Sequence, residues 1–303
     1  MKIVSIKDID SHYIIKIFNK IKIKLRHKSR FDYKQASEYG VMQEKRDVQL
    51  VVSLTTFPAR IDSVKLTINT LLRQTVKPDR LILWLANEQF PQGYEGLPQS
   101  IKDLTNLGLE IKWCEDLRSY KKLVPALREF PNDIIVTADD DILYKEDWLE
   151  SLYEEYLKNP KNLYVRRARN LYVDDKRIKA YPVNYDIPED LNTASFKNRL
   201  AGGSGCLFPP KSLHEDILNT EQIKSLIPTH DDVYFWAMAV LNKTKTVVIR
   251  GLQEDLYTVE EMQKTGLCKI NRKGQAGMTI QEAYDRIVEK YPQIVDILSS
   301  ENN

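Results

Sequence analysis

The segment Ile134-Ile135-Val136-Thr137-Ala138-Asp139-Asp140-Asp141 joins a short apolar run to three consecutive acids. The β-branched residues predict a buried strand over 134–137. The acids that follow should project into the crevice outside the sheet, where α/β proteins bind ligands. In an extended turn Asp139 and Asp141 point to the same side, so both can serve one Mg²⁺ or Mn²⁺ ion completed by water and substrate phosphates. A solvated acidic surface is the alternative, although such runs rarely follow a buried strand.

The chain around this segment alternates between strand and helix patterns. Strands are predicted over 48–54, 81–85, 109–113 and 163–173, with a further one over 247–249. Helices are predicted over 61–72, 123–130, 148–157 and 233–241, and one that begins at a Thr279–Glu282 capping box. The polar stretch 174–199 should be irregular, and the small-residue turn 201–205 should be mobile. This alternation indicates parallel βαβ units in an α/β fold, with a mostly parallel central sheet flanked by helices.

Composition excludes several classes of protein. The 303 residues are 42% hydrophobic and 29% charged, which suits a folded core, and a net charge of +2 gives no general attraction for nucleic acid. Three widely spaced cysteines form neither a disulfide framework nor a zinc pair, so we expect a cytoplasmic protein. The longest apolar stretch, 233–241, is about half of the roughly 20 residues that cross a bilayer, and the N-terminus lacks the order of a signal peptide.

Residues 13–30 carry seven lysines and arginines and no acid. Read as a helix, the segment collects its apolar residues on one face, which suits a helix lying on an anionic membrane surface or one packed against the protein. Read as a strand, Ile21, Ile23 and Leu25 alternate with lysines. We therefore divide the chain into a basic segment at 1–46, an α/β domain at 47–250 and a helical extension at 251–303 packed on it. The basic segment predicts peripheral attachment to the inner face of the cell membrane.

His230-Asp231-Asp232 directly precedes the apolar helix over 233–241. Carboxylates at a helix N-terminus are favoured by the helix dipole, which is a structural role. Alternatively, Asp231 or Asp232 is a general base that removes a proton from an attacking hydroxyl.

Several other residues could receive a nucleotide. Thr55, Thr56 and Arg60 stand between a strand and a helix, where hydroxyls, backbone N–H groups and a guanidinium can bind phosphate, although Arg60 could equally be an exposed helix charge. Lys122 could meet phosphate, whereas the neighbouring Lys121 fits a surface position. The adjacent glycines, 202 and 203, permit close backbone approach to a sugar, or form a turn.

Taken in order, these motifs resemble those of GT-A glycosyltransferases, near the family-2-like bacterial enzymes that build capsule, lipopolysaccharide or other surface glycans. The resemblance spans residues 48–250 and rests on Ser53-Leu54-Thr55-Thr56-Phe57-Pro58-Ala59-Arg60, Tyr120-Lys121-Lys122-Leu123, Ile134–Asp141, Gly202-Gly203-Ser204-Gly205 and His230-Asp231-Asp232-Val233.

The resemblance implies a single Rossmann-like GT-A domain, a nucleotide-diphosphate sugar donor and a glycan or lipid-linked acceptor. It implies that Asp141 binds Mn²⁺ or Mg²⁺, that Asp139 lies near the metal or the ribose, and that Asp232 or Asp231 is the base of an inverting transfer. Asp140 joins the expected nucleotide-sugar contacts, which also include Thr55, Thr56, Arg60, Lys122, Asp139, Gly202 and Gly203.

Two departures accompany the resemblance. The opening 55–60 and Asn87-Glu88 differ from the commoner pattern, and no histidine follows His230, so water or diphosphate would complete the metal's coordination.

Two rival functions remain. One is a haloacid-dehalogenase-like Mg²⁺-dependent phosphatase with Asp139 as nucleophile, and the other is a non-catalytic membrane-surface module.

Overall fold

The computed structural model describes residues 31–181, 193–249, 257–259 and 277–301, together with the backbone of three strands within the first 30 residues. Every described helix is too short or too polar to cross a membrane.

The strands in this part of the chain are β1 (Ile3–Ile9), β2 (His12–Ile17), β3 (Ile21–Arg26), β4 (Leu50–Thr55), β5 (Arg80–Ala86), β6 (Leu109–Cys114), β7 (Ile134–Ala138), β8 (Ile142–Leu143), β9 (Leu163–Val165), β10 (Ala168–Asp174), β11 (Arg177–Ala180), β12 (Asn198–Leu200), β13 (Cys206–Phe208), β14 (Thr246–Val248) and β15 (Tyr257–Thr258). The helices are α1 (Val64–Leu71), α2 (Gln99–Lys102), α3 (Val124–Glu129), α4 (Trp148–Lys158), α5 (Thr220–Leu226), α6 (Asp231–Leu241), α7 (Ile280–Lys290) and α8 (Gln293–Ser300).

The central sheet has seven strands in the order β14-β9-β13-β7-β4-β5-β6. β4 pairs in parallel with β5 and β7, β5 pairs in parallel with β6, and β9 does so with β14. β13 is antiparallel to both of its neighbours, β7 and β9. Helices pack on the sheet, and the predicted fold class, a mostly parallel α/β sheet flanked by helices, is confirmed.

The strands at the centre of this sheet are buried on both faces. Along β4, Val51 packs into a core that also holds α3, α6, α7 and α8, whereas its neighbours Leu50 and Val52 pack into the core that holds α1 and α4. Parallel strands covered on both faces read as continuous apolar runs, which explains why β4, β5 and β7 were predictable. Since β4 and β7 are parallel neighbours, the residues that follow Thr55 and Ala138 emerge at one edge of the sheet.

Two sequence predictions in the second half of the domain are wrong. The single strand over 163–173 divides into β9 and β10, because β9 pairs within the central sheet and β10 pairs with β11 and β12 in a separate one. The stretch 174–199, expected to be irregular, contains the strand β11, which a two-residue hairpin loop joins to β10. In that loop Asp175 and Lys176 have φ values of 46° and 59°. Positive φ at both positions is typical of a type I′ turn.

The first three strands form an antiparallel sheet in the order β1-β2-β3. The helical interpretation of the basic segment is therefore wrong over β2 and β3, and the strand interpretation applies there. Residues 18–20 and 27–30 lie outside the described residues, as do Cys268 and the stretches 251–256 and 260–276 of the C-terminal extension.

The described part of that extension consists of α7 and α8. Thr279 and Glu282 form the capping box that the sequence predicts, with each side chain accepting a hydrogen bond from the other's backbone N–H. Both helices contribute to the core around α6, and the Tyr284 ring meets Trp236 edge-on at 6.2 Å.

Candidate active site

The acidic triplet lies at the carboxyl end of β7, as the sequence predicts, and five other segments converge on it. These are the end of β4, a 3₁₀ turn over Pro58–Arg60, a second over Arg118–Lys122, a third over Gly202–Ser204, and the first turn of α6. The cleft therefore occupies the edge where parallel α/β sheets bind their ligands.

Asp140 anchors the triplet within the protein. It is 7% exposed, accepts a 2.6 Å hydrogen bond from Thr56 Oγ1 and forms an ion pair with the buried Arg60. Thr67 Oγ1 also donates to its backbone oxygen at 2.7 Å. Burial raises the pKa of Asp140, and Arg60 opposes that rise. Thr56, Arg60 and Asp140, all predicted nucleotide contacts, thus bind one another, and Arg60 is not the exposed charge that the alternative interpretation required.

The surroundings of Asp141 disfavour the charged form of its carboxylate. Burial, followed by the charges of Asp139 and Asp140, raises the pKa of Asp141 to about 6, although Arg60 lies 3.3 Å away and opposes the shift. Its backbone oxygen accepts from Val259 N at 2.9 Å, next to the β8–β15 pair. The backbone of Asp141 is therefore held beside the β8–β15 pair, and Arg60 compensates part of the charge of its carboxylate.

Lys122 bridges the acidic triplet 139–141 and the Asp231-Asp232 pair. Its Nζ lies 2.8 Å from Asp139 Oδ1 and 2.9 Å from Asp231 Oδ2, and its side chain is 6% exposed. Burial alone would lower the pKa of Lys122, but Asp139, Asp231 and Asp232 together raise it well above its usual range. The ammonium is thus a permanent positive charge between the end of β7 and the start of α6.

The turn over Gly202–Ser204, expected to be mobile, is packed onto the carboxylates. Gly202 N–H donates to Asp232 Oδ1 at 3.0 Å, and a Cβ on Gly202 would lie 2.7 Å from that oxygen and 3.0 Å from Lys122 Nζ. A Cβ on Gly203 would lie 3.2 Å from Asp139 Oδ2. Glycine at position 202 therefore allows a close approach of the backbone to the Asp232 carboxylate, whereas a Cβ at position 203 would need only a small shift of Asp139.

Asp231 and Asp232 occupy the first turn of α6, where the helix dipole favours them. The side chain of Asp231 is 13% exposed and pairs with Lys122, whereas that of Asp232 is 30% exposed and lies 3.7 Å from Arg199 Nη1. Burial and the neighbouring Asp231 raise the pKa of Asp232, while Lys122 and Arg199 oppose that rise. Of the two candidates for a base, Asp232 is the more accessible.

The remaining predicted residues are less central. Thr55 Oγ1 donates to Trp84 O on β5 at 2.8 Å, so the hydroxyl proton is used in a hydrogen bond within the sheet. Lys121 is buried rather than on the surface, and its Nζ lies 3.3 Å from Asp116 Oδ1 and 3.0 Å from Gln89 Oε1. A ring nitrogen of His230 lies 3.2 Å from Met278 O.

Sequence reasoning missed Tyr144 and Arg199. Tyr144 Oη accepts from Asp139 N at 2.8 Å and donates to Gly203 O at 3.4 Å, so it ties the triplet to the glycine turn. Arg199 lies beside Asp232 because β12 packs against α6, a long-range contact without a local signal. The sequence signal for Tyr144 was its position three residues after Asp141.

The described residues hold no group of three or more histidine, cysteine, aspartate or glutamate side chains arranged as a complete metal site. Asp139 and Asp141 nevertheless provide the oxygen donors that Mg²⁺ and Mn²⁺ prefer. Burial, and then the like charges of Asp139 and Asp140, raise the pKa of Asp141, and a bound dication would favour its charged form. The residues thus fit a two-carboxylate metal site completed by substrate oxygens, and Asp140, already bound by Thr56 and Arg60, is not needed for it.

Fold and site together define an α/β protein with a carboxylate-lined cleft at the carboxyl edge of its sheet. No family model matches the chain. No curated protein matches it either. Its structure is similar to that of S. aureus TarS 1-349, with 13% identity, a TM-score of 0.46 and coverage of 83% of both chains. It is also similar to CMP:2-keto-3-deoxy-manno-octonic acid synthetase complexed with CTP, with 10% identity, a TM-score of 0.41 and coverage of 75% of this chain and 100% of the other. Both likenesses are loose, so the chemistry of the site rests on its own side chains.

Proposed function

We propose that the protein is a metal-dependent, inverting glycosyltransferase that moves a sugar from a nucleotide-diphosphate donor to a hydroxyl of an acceptor. The observation that carries the proposal is the position of Lys122, whose ammonium contacts both Asp139 at the end of β7 and Asp231 at the start of α6. One set of carboxylates can thus serve the leaving group while Asp232, next to Asp231, serves the attacking group.

Asp232 is the proposed base. It takes the proton of the acceptor hydroxyl, whose oxygen then attacks the anomeric carbon of the donor sugar. The bond from that carbon to the diphosphate oxygen breaks at the same time, and its electron pair leaves with the diphosphate. A single displacement inverts the anomeric centre. The Gly202 N–H and Arg199 hold the Asp232 carboxylate in place for this step.

Asp139 and Asp141 would hold the Mg²⁺ or Mn²⁺, which when bound supplies positive charge to the departing diphosphate. Thr56, Arg60 and Asp140 form the buried support of this edge. In this proposal the nucleotide lies over the ends of β4 and β5, the acceptor is a glycan or a lipid-linked sugar, and the protein works in the cytoplasm at the inner membrane face.

A thermal-shift screen tests the donor. Nucleoside diphosphates bind the folded state, so they should raise the melting temperature in the presence of Mn²⁺ and much less with EDTA. Asp141→Asn should abolish the Mn²⁺-dependent part of that shift. Asp232→Asn should keep the shift and lose sugar transfer. Normal transfer by either variant would contradict the assigned roles.

The phosphatase rival makes a different prediction from the same cleft. It requires Asp139 to attack phosphorus, although this carboxylate is ion-paired with Lys122. Parallel incubations with Mg²⁺ and either aryl phosphate esters or nucleotide-diphosphate sugars separate the two reactions. Release of phosphate without turnover of sugar nucleotides would favour the phosphatase. Absence of both reactions, with membrane binding intact, would favour the non-catalytic module.

A further inference from the structure

Arg166, directly after β9, is a buried cation that the proposed reaction does not use. It is 7% exposed, and its buried Nε has no hydrogen-bond partner. Among the described residues no carboxylate lies within ion-pair distance of its guanidinium. Burial lowers the pKa of Arg166, and Asp147 offsets only part of that effect. An unpaired buried charge costs the fold several kcal/mol, so stability does not explain this arginine.

The sheet register places Arg166 at the cleft. On β13, Cys206 is paired with Thr137 of β7 on one side and with Val165 of β9 on the other. Because β13 is antiparallel to both, β7 and β9 run in the same direction and end at the same edge. Arg166 therefore leaves the sheet level with the acidic triplet and two strands away, about 10 Å at the usual strand spacing.

A backbone hydrogen bond connects the residue after Arg166 to the glycine turn. The backbone oxygen of the next residue, Arg167, accepts a 3.0 Å hydrogen bond from Ala201 N, at the start of that turn. Tyr144 holds the same turn from another side, because its Oη donates to Gly203 O at 3.4 Å. The chain that leaves β9 at Arg166 thus lies against the turn that packs on Asp232 and Asp139.

The strand order indicates which substrate this arginine meets. β4, with the proposed nucleotide contacts Thr55 and Thr56, lies on one side of β7, whereas β9 lies on the other. If the reacting bond is at the end of β7, Arg166 is on the side left for the acceptor. A guanidinium binds phosphate and carboxylate through paired hydrogen bonds.

We infer that Arg166 binds an oxyanion, a phosphate or a carboxylate, carried by the acceptor close to the hydroxyl that is glycosylated. This inference rests on the proposed transferase function for the identity of the acceptor, but the oxyanion site itself does not.

Binding of two simple probes tests the site without any enzyme assay. Methyl phosphate and acetate are titrated separately into the full chain while the Arg Nε–H resonances are followed by NMR, with Arg166 assigned from Arg166→Lys. The Arg166 signal should shift with at least one probe, which distinguishes the two oxyanions. Arg166→Met should weaken that binding by about tenfold or more. Arg177→Met removes the same charge from a surface ion pair with Asp285 and should leave it unchanged.

A kinetic experiment then identifies the substrate. A neutral oligosaccharide and its phosphorylated form are compared as acceptors, and Arg166→Met should raise KM for the charged one about tenfold with little change for the neutral one or for the donor. Equal probe binding by wild type and Arg166→Met, or a rise confined to the donor KM, would overturn the inference. Probe binding that depends on Arg166 in a protein without transferase activity would leave the site standing and remove the proposed function. If Arg166→Met does not fold, the wild-type titration still decides the matter, because an Arg166 Nε–H signal that shifts with neither probe overturns the inference.

Discussion

At the level of single residues, Lys122 should matter for both folding and activity. Its ammonium compensates Asp139 and Asp231, so Lys122→Met leaves two partly buried carboxylates without this partner. We expect the free energy of unfolding, measured by urea denaturation, to fall by about 3 kcal/mol, together with loss of transfer. Lys224→Met, which removes exposed ion pairs to Glu115 and Glu221, should cost less than about 1 kcal/mol. Equal losses in the two variants would contradict the role of Lys122.

Gly202 tests how precisely the base must be placed. In Gly202→Ala the new methyl group would lie 2.7 Å from Asp232 Oδ1, so the carboxylate must move. Misplacement on this scale should lower kcat by about a hundredfold. Gly203→Ala, with 3.2 Å to Asp139 Oδ2, should have a smaller effect. Steady-state kinetics with circular dichroism as a check on folding distinguishes these outcomes, and an unimpaired Gly202→Ala would disprove the placement.

The raised pKa of Asp232 predicts the direction of the pH dependence. A base acts when it is deprotonated, so kcat/KM should fall as pH drops through the raised pKa, above the usual carboxylate value of about 4. The fold disfavours the charged form, so wild type loses stability as pH rises from the ordinary to the raised pKa, and Asp232→Asn escapes that loss. The Asn variant should therefore melt at or above the wild-type temperature at pH 7. A lower melting temperature would mean that the charge is stabilising.

At the level of secondary-structure elements, the capping box of α7 controls how the C-terminal helices dock. Thr279→Ala removes the acceptor for Glu282 N–H and should lower the free energy of unfolding by about 1 kcal/mol. Thr279→Ser retains the hydroxyl and should stay close to wild type. Urea unfolding measures both variants. A Thr279→Ala protein as stable as the Ser variant would show that packing against α6 alone holds these helices.

At the level of the whole molecule, the basic N-terminal segment predicts salt-sensitive attachment to anionic membranes. Lys20→Gln, Lys22→Gln and Lys24→Gln together should weaken binding to phosphatidylserine vesicles by about 1 kcal/mol per lysine at low salt. The same three-charge loss made elsewhere, at Lys161, Lys176 and Lys243, is the control. Vesicle sedimentation measures binding, and equal effects in the two triple variants, or binding insensitive to salt, would refute the prediction.

Much of the domain follows from local patterns. The apolar runs at 48–54, 81–85 and 134–137 predict β4, β5 and β7 within about two residues, because strands buried on both faces need continuous hydrophobic sequence. The capping box at Thr279 was equally local. The division of 163–173 into two strands was not, since it depends on which distant strands pair with each half.

The amino-acid sequence by itself determined the strand and helix alternation, the acids at the end of β7, and the acids ahead of α6. Tertiary structure decided which of these side chains meet. Only the folded chain shows that Lys122 bridges the two acidic groups, that Asp140 is occupied by Arg60 and Thr56, and that the glycine turn rests on Asp232. The reason is physical: secondary structure is encoded in neighbouring residues, whereas ion pairs and pKa values depend on burial and on charges brought together from remote parts of the chain.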